Sequence, residues 1–74
     1  MDETKLRKAI AELKEDEKID LSYPPDGAIE IELCGGIYTF EIYDCYGGGH
    51  LWHNGNYAIN EAEEMVKEIL ISIA

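Results

Sequence analysis

Two cysteines and two histidines are the residues that could do chemistry in this chain. Cys45, His50 and His53 lie close together, and Cys34 stands upstream. Zinc would need four such ligands at spacings that let them converge. The order Cys45-x4-His50-x2-His53 matches no strong zinc pattern, and two histidines three apart on a strand point to opposite faces. A cysteine nucleophile needs a base, an orienting group and a lowered thiol pKa. Cys45, His50 or His53, and Asp44 supply parts of that set, but no basic residue or helix start adjoins them. The run Gly47-Gly48-Gly49 lacks the lysine and the helix that follow a phosphate-cradling loop. The expectation is therefore a protein that is not an enzyme and holds no metal or cofactor.

Charge is the more informative property. Sixteen acidic residues against six basic ones give a formal net charge of −10 in 74 residues. That balance argues against direct contact with nucleic acid. Five bases (Lys5, Arg7, Lys8, Lys14 and Lys18) fall at the start, and the sixth is Lys67. The 48 residues between Lys18 and Lys67 hold no Lys or Arg but carry Asp20, Asp26, Glu30, Glu32, Glu41, Asp44, Glu61, Glu63 and Glu64. A field of one sign steers basic partners toward it.

The elements that position these acids centre on AIEIELCGGIYTFEIY, residues 28–43. Two alternating runs around Gly35-Gly36 predict a hairpin, because a type I′ turn needs positive φ at both central positions. Opposed residues then have numbers that sum to 71. Leu33 faces Tyr38, Ile31 faces Phe40 and Ile29 faces Ile42, which makes one face apolar. The other face pairs Cys34 with Ile37, Glu32 with Thr39, Glu30 with Glu41 and Ala28 with Tyr43. A slip of one residue would expose the apolar set, so the register is well specified. Like charges directly opposite destabilise a sheet, and with no base nearby in sequence the Glu30–Glu41 pair is expected to lack a local cation. Cys34 and Cys45 fall at opposite ends of the hairpin, more than ~20 Å apart, beyond disulfide reach.

The flanks follow from periodicity. Residues 2 to about 17 predict a helix with Leu6, Ala9, Ile10 and Leu13 as a narrow apolar stripe. Residues 19–27 read as a connector that closes in the Pro24-Pro25-Asp26-Gly27 turn. Leu51-Trp52-His53 reads as a short third strand that ends at Asn54-Gly55-Asn56; a two-residue loop puts Trp52 opposite Tyr43 on the outer face and a three-residue loop puts it opposite Asp44 on the inner side, and the exposed side or edge is the expectation. Asn60 and Glu63 suggest a capping box for a last helix that buries Ala62, Met65, Val66, Ile69, Leu70 and Ile73. The whole predicts a single small α+β domain over residues 1–74 in α-β-β-β-α order, a three-stranded antiparallel sheet with both helices on one face. No apolar run approaches the roughly 20 residues of a membrane span, and the charged start is unlike a signal peptide. A cytoplasmic protein with free thiols is the expectation.

Three resemblances bear on function. The element order resembles that of double-stranded RNA-binding domains, but where that family places phosphate-gripping lysines this chain has Glu61-Ala62-Glu63-Glu64. RNA binding is therefore not implied. Residues 38–71, with YTFEIYD, a glycine loop, HNGN and then NEAEEMVKEILI, resemble HicB-type antitoxins, which implies an acidic, partner-neutralising role. In character the chain also resembles small acidic phage proteins, some anti-CRISPR proteins among them, that inhibit nucleic-acid enzymes.

The leading expectation is thus an inhibitor that covers a basic, nucleic-acid-binding surface of a partner protein. Glu30, Glu32, Glu41 and Asp44 would supply charge, and Tyr43, Tyr46 and Trp52 aromatic anchors of the kind enriched at interfaces. The alternative is an antitoxin-like regulatory module that binds through the Leu51–His53 strand or Ile71, with an inert acidic face.

Overall fold

The Gly35-Gly36 turn sets the register of everything around it. Both glycines have positive φ, 62° and 75°, the condition for a two-residue hairpin loop. The computed structural model describes residues 3–23, 27–44 and 50–73, with the side chains of Asp44 and His50 left out of the description. Among them the order is α1 (Glu3–Glu12), β1 (Glu17–Tyr23), β2 (Gly27–Cys34), β3 (Ile37–Asp44), β4 (His50–Ala58), a 3-10 turn (Ile59–Glu61) and α2 (Ala62–Ile73). The strands form one antiparallel meander in the order β1-β2-β3-β4. The β2–β3 pairing is the expected one at every position, from Ala28 opposite Tyr43 to Cys34 opposite Ile37.

The sheet has four strands, not three. The stretch read as a connector is β1, paired along its length with β2 from Glu17–Leu33 to Tyr23–Gly27. Its alternation of Ile19, Leu21 and Tyr23 is that of a strand with one face toward the core. The first helix is correspondingly shorter than expected. Asp16 adopts φ 65°, a conformation open to a short polar side chain. Glu17 N–H donates to the Lys14 carbonyl at 3.0 Å and Lys14 N–H to Glu17 Oε1 at 2.8 Å, closing the turn. The same turn is tied to the hairpin: Asp16 N–H donates to the Leu33 carbonyl at 2.7 Å and Gly36 N–H to Glu15 Oε1 at 2.9 Å. The fourth strand also separates this topology from the three-stranded order of double-stranded RNA-binding domains.

The third expected strand is longer than Leu51–His53. It continues through Asn54-Gly55-Asn56 to Ala58. Gly55 lies opposite Phe40, and a Cβ there would stand 2.8 Å from Phe40 Cε1 and 3.1 Å from Glu68 Oε2. The missing side chain is what lets the Phe40 ring and α2 close over the strand, so packing overrides the turn propensity of the Asn-Gly-Asn triplet.

The inner face is the core. Ile29, Ile31, Leu33, Tyr38, Phe40 and Ile42 from β2 and β3 join Leu6, Ile10 and Leu13 from the N-terminal region and Met65, Val66 and Ile69 from α2 in one buried cluster. Seven large side chains (Phe40, Leu6, Ile29, Ile31, Ile42, Met65 and Ile69) are fully enclosed. Each stabilises the fold by about 1.5–3 kcal/mol, the main offset to the entropy of ordering so short a chain. Among the described residues no polar or charged side chain is buried. The start of α2 differs from the Asn60–Glu63 box: Glu61 Oε1 accepts the Ala58 N–H at 3.1 Å, two residues earlier. Glu63 instead receives both terminal nitrogens of Arg7, Nη2 to Oε1 at 2.9 Å, a bidentate clasp between the helices. No helix among the described residues is long and apolar enough to cross a membrane.

Candidate functional site

Because both helices bury their apolar faces against the inner side, no element among the described residues covers the outer side of the sheet, and the pairing registers show what it carries. Reading across β1-β2-β3-β4, one row is Asp20–Glu30–Glu41–Asn54. The next toward the glycine turn is Lys18–Glu32–Thr39–Asn56, and the end row is Cys34–Ile37–Ala58. On the other side of the carboxylate row lies Ser22–Ala28–Tyr43–Leu51. Neighbouring strands are ~4.8 Å apart, so Asp20, Glu30 and Glu41 form a line of three adjacent carboxylates.

The Glu30–Glu41 pair does have a local cation, contrary to expectation. Lys18 Nζ lies 2.7 Å from Glu30 Oε1, because β1 brings the last base of the N-terminal segment onto the outer face. This carboxylate contact raises the Lys18 pKa. Glu41 is relieved differently: the Tyr43 hydroxyl donates to Glu41 Oε2 at 3.0 Å, which raises the tyrosine's pKa. The remaining face is polar. Thr39 Oγ1 donates to Asn56 Oδ1 at 2.9 Å, and Glu32 and Asp20 are exposed.

The structure thus places Glu30 and Glu32 of β2 and Glu41 and Tyr43 of β3 on one surface. Tyr43 is part-buried, and its carbonyl accepts the Tyr23 hydroxyl at 3.1 Å. Asp44 ends β3 opposite His50, with its side chain outside the description. Tyr46, Cys45, the three-glycine run and the Pro24-Pro25-Asp26 part of the turn lie outside the described residues. Trp52 is opposite neither Tyr43 nor Asp44. The β4 register shifts between the His53–Ile42 and Leu51–Tyr43 pairs, and Trp52 is the extra residue of that bulge. It is 57% exposed at the sheet edge, beside Leu51 at 49%. Asp20, Lys18, Asn54 and Asn56 are members of this surface that the sequence reading did not include. The signal for Asp20 and Lys18 was present, since EKIDLSY alternates with period two.

Beneath β4 a second polar group joins strand to helix. The Tyr57 hydroxyl donates to Glu68 Oε1 at 2.8 Å, and His53 Nε2 lies 3.2 Å from Glu68 Oε2. The Phe40 ring lies between the two partners, with centroids 5.7 Å from His53 and 6.3 Å from Tyr57. Among the described residues no group of three or more His, Cys, Asp or Glu side chains is placed to hold a metal ion. Cys34 is free and exposed, and hydrogen bonding to Asp16 raises its pKa, which disfavours the reactive thiolate. Between the helices, a cavity of about 190 Å³ is lined by apolar atoms of Ile10, Ala11, Tyr38, Ala62 and Val66. Its two charged lining residues, Arg7 and Glu63, are bonded to each other. Comparisons of the chain with family models, with curated proteins and with solved structures found no match.

Proposed function

We propose that the protein is a small acidic binding module whose outer sheet face covers a basic surface of a partner, most readily the nucleic-acid-binding surface of a protein or nuclease. The observation that carries this reading is the row Asp20–Glu30–Glu41 with Glu32 beside it. These are four carboxylates on a face that holds one ammonium group, Lys18, among its described residues. Alternate residues on a strand stand ~7 Å apart, so Glu30 and Glu32 can each meet a separate Lys or Arg group. The exposed Leu51 and Trp52 at the edge of the same sheet add apolar contact area, and Trp is prominent among interface hot spots.

Binding rather than catalysis is favoured because these carboxylates stand on an open sheet face, and the cavity that the described residues form lies on the opposite side of the sheet. The helix–helix cavity is smaller than the roughly 300 Å³ at which ligand sites begin, and its charged groups are already paired. The antitoxin-like alternative, with contacts along the β4 edge and Ile71 and an inert acidic face, differs in its response to salt. Charge-driven association weakens as salt screens it, whereas edge contacts alone do not. The test is capture of the partner on immobilised protein, repeated with duplex DNA as competitor. Displacement by DNA is the expected result. Capture that DNA leaves untouched would remove the nucleic-acid-mimic part of the reading.

A further inference from the structure

The sheet ends in two edges of opposite character. Strand β1 carries Glu17, Lys18 and Asp20, and charges on an edge discourage the addition of another strand. Strand β4, HLWHNGNYA, has no Asp, Glu, Lys or Arg in nine residues. Its bulge at Leu51-Trp52 interrupts one end, but from His53 to Ala58 the pairing with β3 is regular.

The phase of the ladder shows which backbone groups the regular part leaves open. In a two-residue hairpin Cys34 and Ile37 are the bonded closing pair, so hydrogen bonding toward β2 and β4 alternates along β3. Tyr38, Phe40 and Ile42 then bond across to Tyr57, Gly55 and His53. The N–H and C=O groups of Asn54 and Asn56 consequently point away from the sheet. The end of the strand agrees: Ile59 N–H reaches inward to the Gly36 carbonyl at 3.2 Å, while Ala58 N–H turns outward and is taken by Glu61.

Both sides of this open edge carry groups suited to one kind of occupant. On the outer face Asn54 continues the row Asp20–Glu30–Glu41, and Asn56 the row that contains Glu32. A residue added beyond Asn54 would lie two strand spacings, ~10 Å, from Glu41, within reach of a long basic side chain laid over the short asparagine. On the inner face Glu68 holds His53 and Tyr57. Helical residues three and four apart share a face, so Glu64 and Ile71 flank Glu68 on the side of α2 nearest β4. Ile71 is 77% exposed.

We infer that β4 accepts an extended basic segment of a partner protein as a fifth strand, with basic side chains over the outer acidic rows and apolar side chains against Ile71. Main-chain bonds to Asn54 and Asn56 supply the attachment, as in other strand additions, and the alternation of side chains supplies the selectivity. A second copy of this chain is the wrong occupant by charge, since each copy carries −10. The inference rests on the basic-partner reading and specifies how such a partner docks.

The test uses a synthetic peptide that alternates arginine with valine, and a control of the same composition with the arginines in one block and the valines in another. Calorimetric titration should show the alternating peptide binding about tenfold more tightly or better, a difference of about 1.4 kcal/mol. Amide exchange should slow at Asn54 and Asn56. Asn54→Pro removes an outward N–H and no bond to β3, so it should cost about tenfold in affinity while the thermal melt stays cooperative. If that variant does not fold, N-methylation of the peptide's own backbone amides makes the same cut and should lose the same affinity. Equal binding of both peptides, still sensitive to Glu30→Gln with Glu41→Gln, would overturn strand addition and leave the acidic-face reading standing. If neither peptide bound in a salt-dependent way, both readings would be overturned. Dimerisation with Asn54 and Asn56 protected in the absence of peptide would also overturn the inference, because a second copy would then occupy the edge.

Discussion

The two faces of β2 and β3 are built from alternate residues of the same sixteen positions, yet they follow opposite rules. Inward, Ile29, Ile31, Leu33, Tyr38, Phe40 and Ile42 are buried and joined to both helices. Outward, Glu30, Glu32, Glu41, Thr39 and Tyr43 are half-buried or exposed; among the described residues their side chains bond to Lys18, to Asn56 and, between Tyr43 and Glu41, to each other. The inner face therefore determines whether the chain folds, and the outer face is free to be selected for something else. A chain needing only solubility would intersperse both signs of charge; this one concentrates carboxylates in one row.

The comparison is broken most severely from the inside. Phe40→Ala should cost about 3–5 kcal/mol, a large share of the 5–15 kcal/mol that keeps a domain folded, and urea denaturation should show a greatly lowered midpoint. Gly55→Ala should follow at about 1–3 kcal/mol, because its Cβ meets Phe40 and Glu68. Gly35→Ala, where the space is open but φ is +62°, should cost about 1–2 kcal/mol by a purely conformational route. A compensating Phe40→Leu change should therefore ease the Gly55 variant and leave the Gly35 variant unaffected.

Smaller effects sharpen the outer face. Lys18→Gln should lower stability slightly and make it more dependent on salt, since Glu30 and Glu41 would then face each other without a cation. The pKa of Lys18 is raised by its partner, so its contribution is complete below the ordinary lysine pKa and is lost as pH rises through the raised value. The Arg7–Glu63 clasp has the opposite sign. Hydrogen bonding to Arg7 lowers the Glu63 pKa. Its contribution is complete above the ordinary glutamate pKa and is lost as pH falls through the lowered value. Chemical denaturation at stepped pH should find that Arg7→Gln removes Glu63's share of the acid-side dependence and leaves the alkaline loss at Lys18 unchanged.

The hairpin was fully legible in the sequence because two strong signals agreed there, the Gly-Gly turn and an apolar period of two on both flanks. The α2 face was legible for the same reason, through a broad period of 3.6. Strand β1 was not, although Ile19, Leu21 and Tyr23 alternate. Four of its seven residues (Glu17, Lys18, Asp20 and Ser22) are charged or polar, as suits an edge strand, and that composition resembles a linker. The full length of strand β4 is not legible, because Asn54-Gly55-Asn56 has turn propensity and the glycine is explained by the Phe40 ring and Glu68 that pack against it. The position of Trp52 depends on a bulge, which a pairing rule based on loop length does not anticipate. Missing β1 also concealed Lys18 as the counter-ion of Glu30, since the two are distant in sequence and adjacent across the ladder.

The central claim is that folding and binding are separated onto the two faces, and one paired measurement tests it most directly. In the Glu30→Gln, Glu41→Gln double variant, the urea midpoint and the partner affinity are determined side by side at ~50 mM and ~500 mM salt, where the screening length differs several-fold. The account predicts a midpoint close to that of the parent protein, an affinity weakened at low salt, and a salt dependence much shallower than the parent's. Unchanged affinity and an unchanged salt dependence in the double variant would contradict it, and would leave the acidic row as a solvated surface.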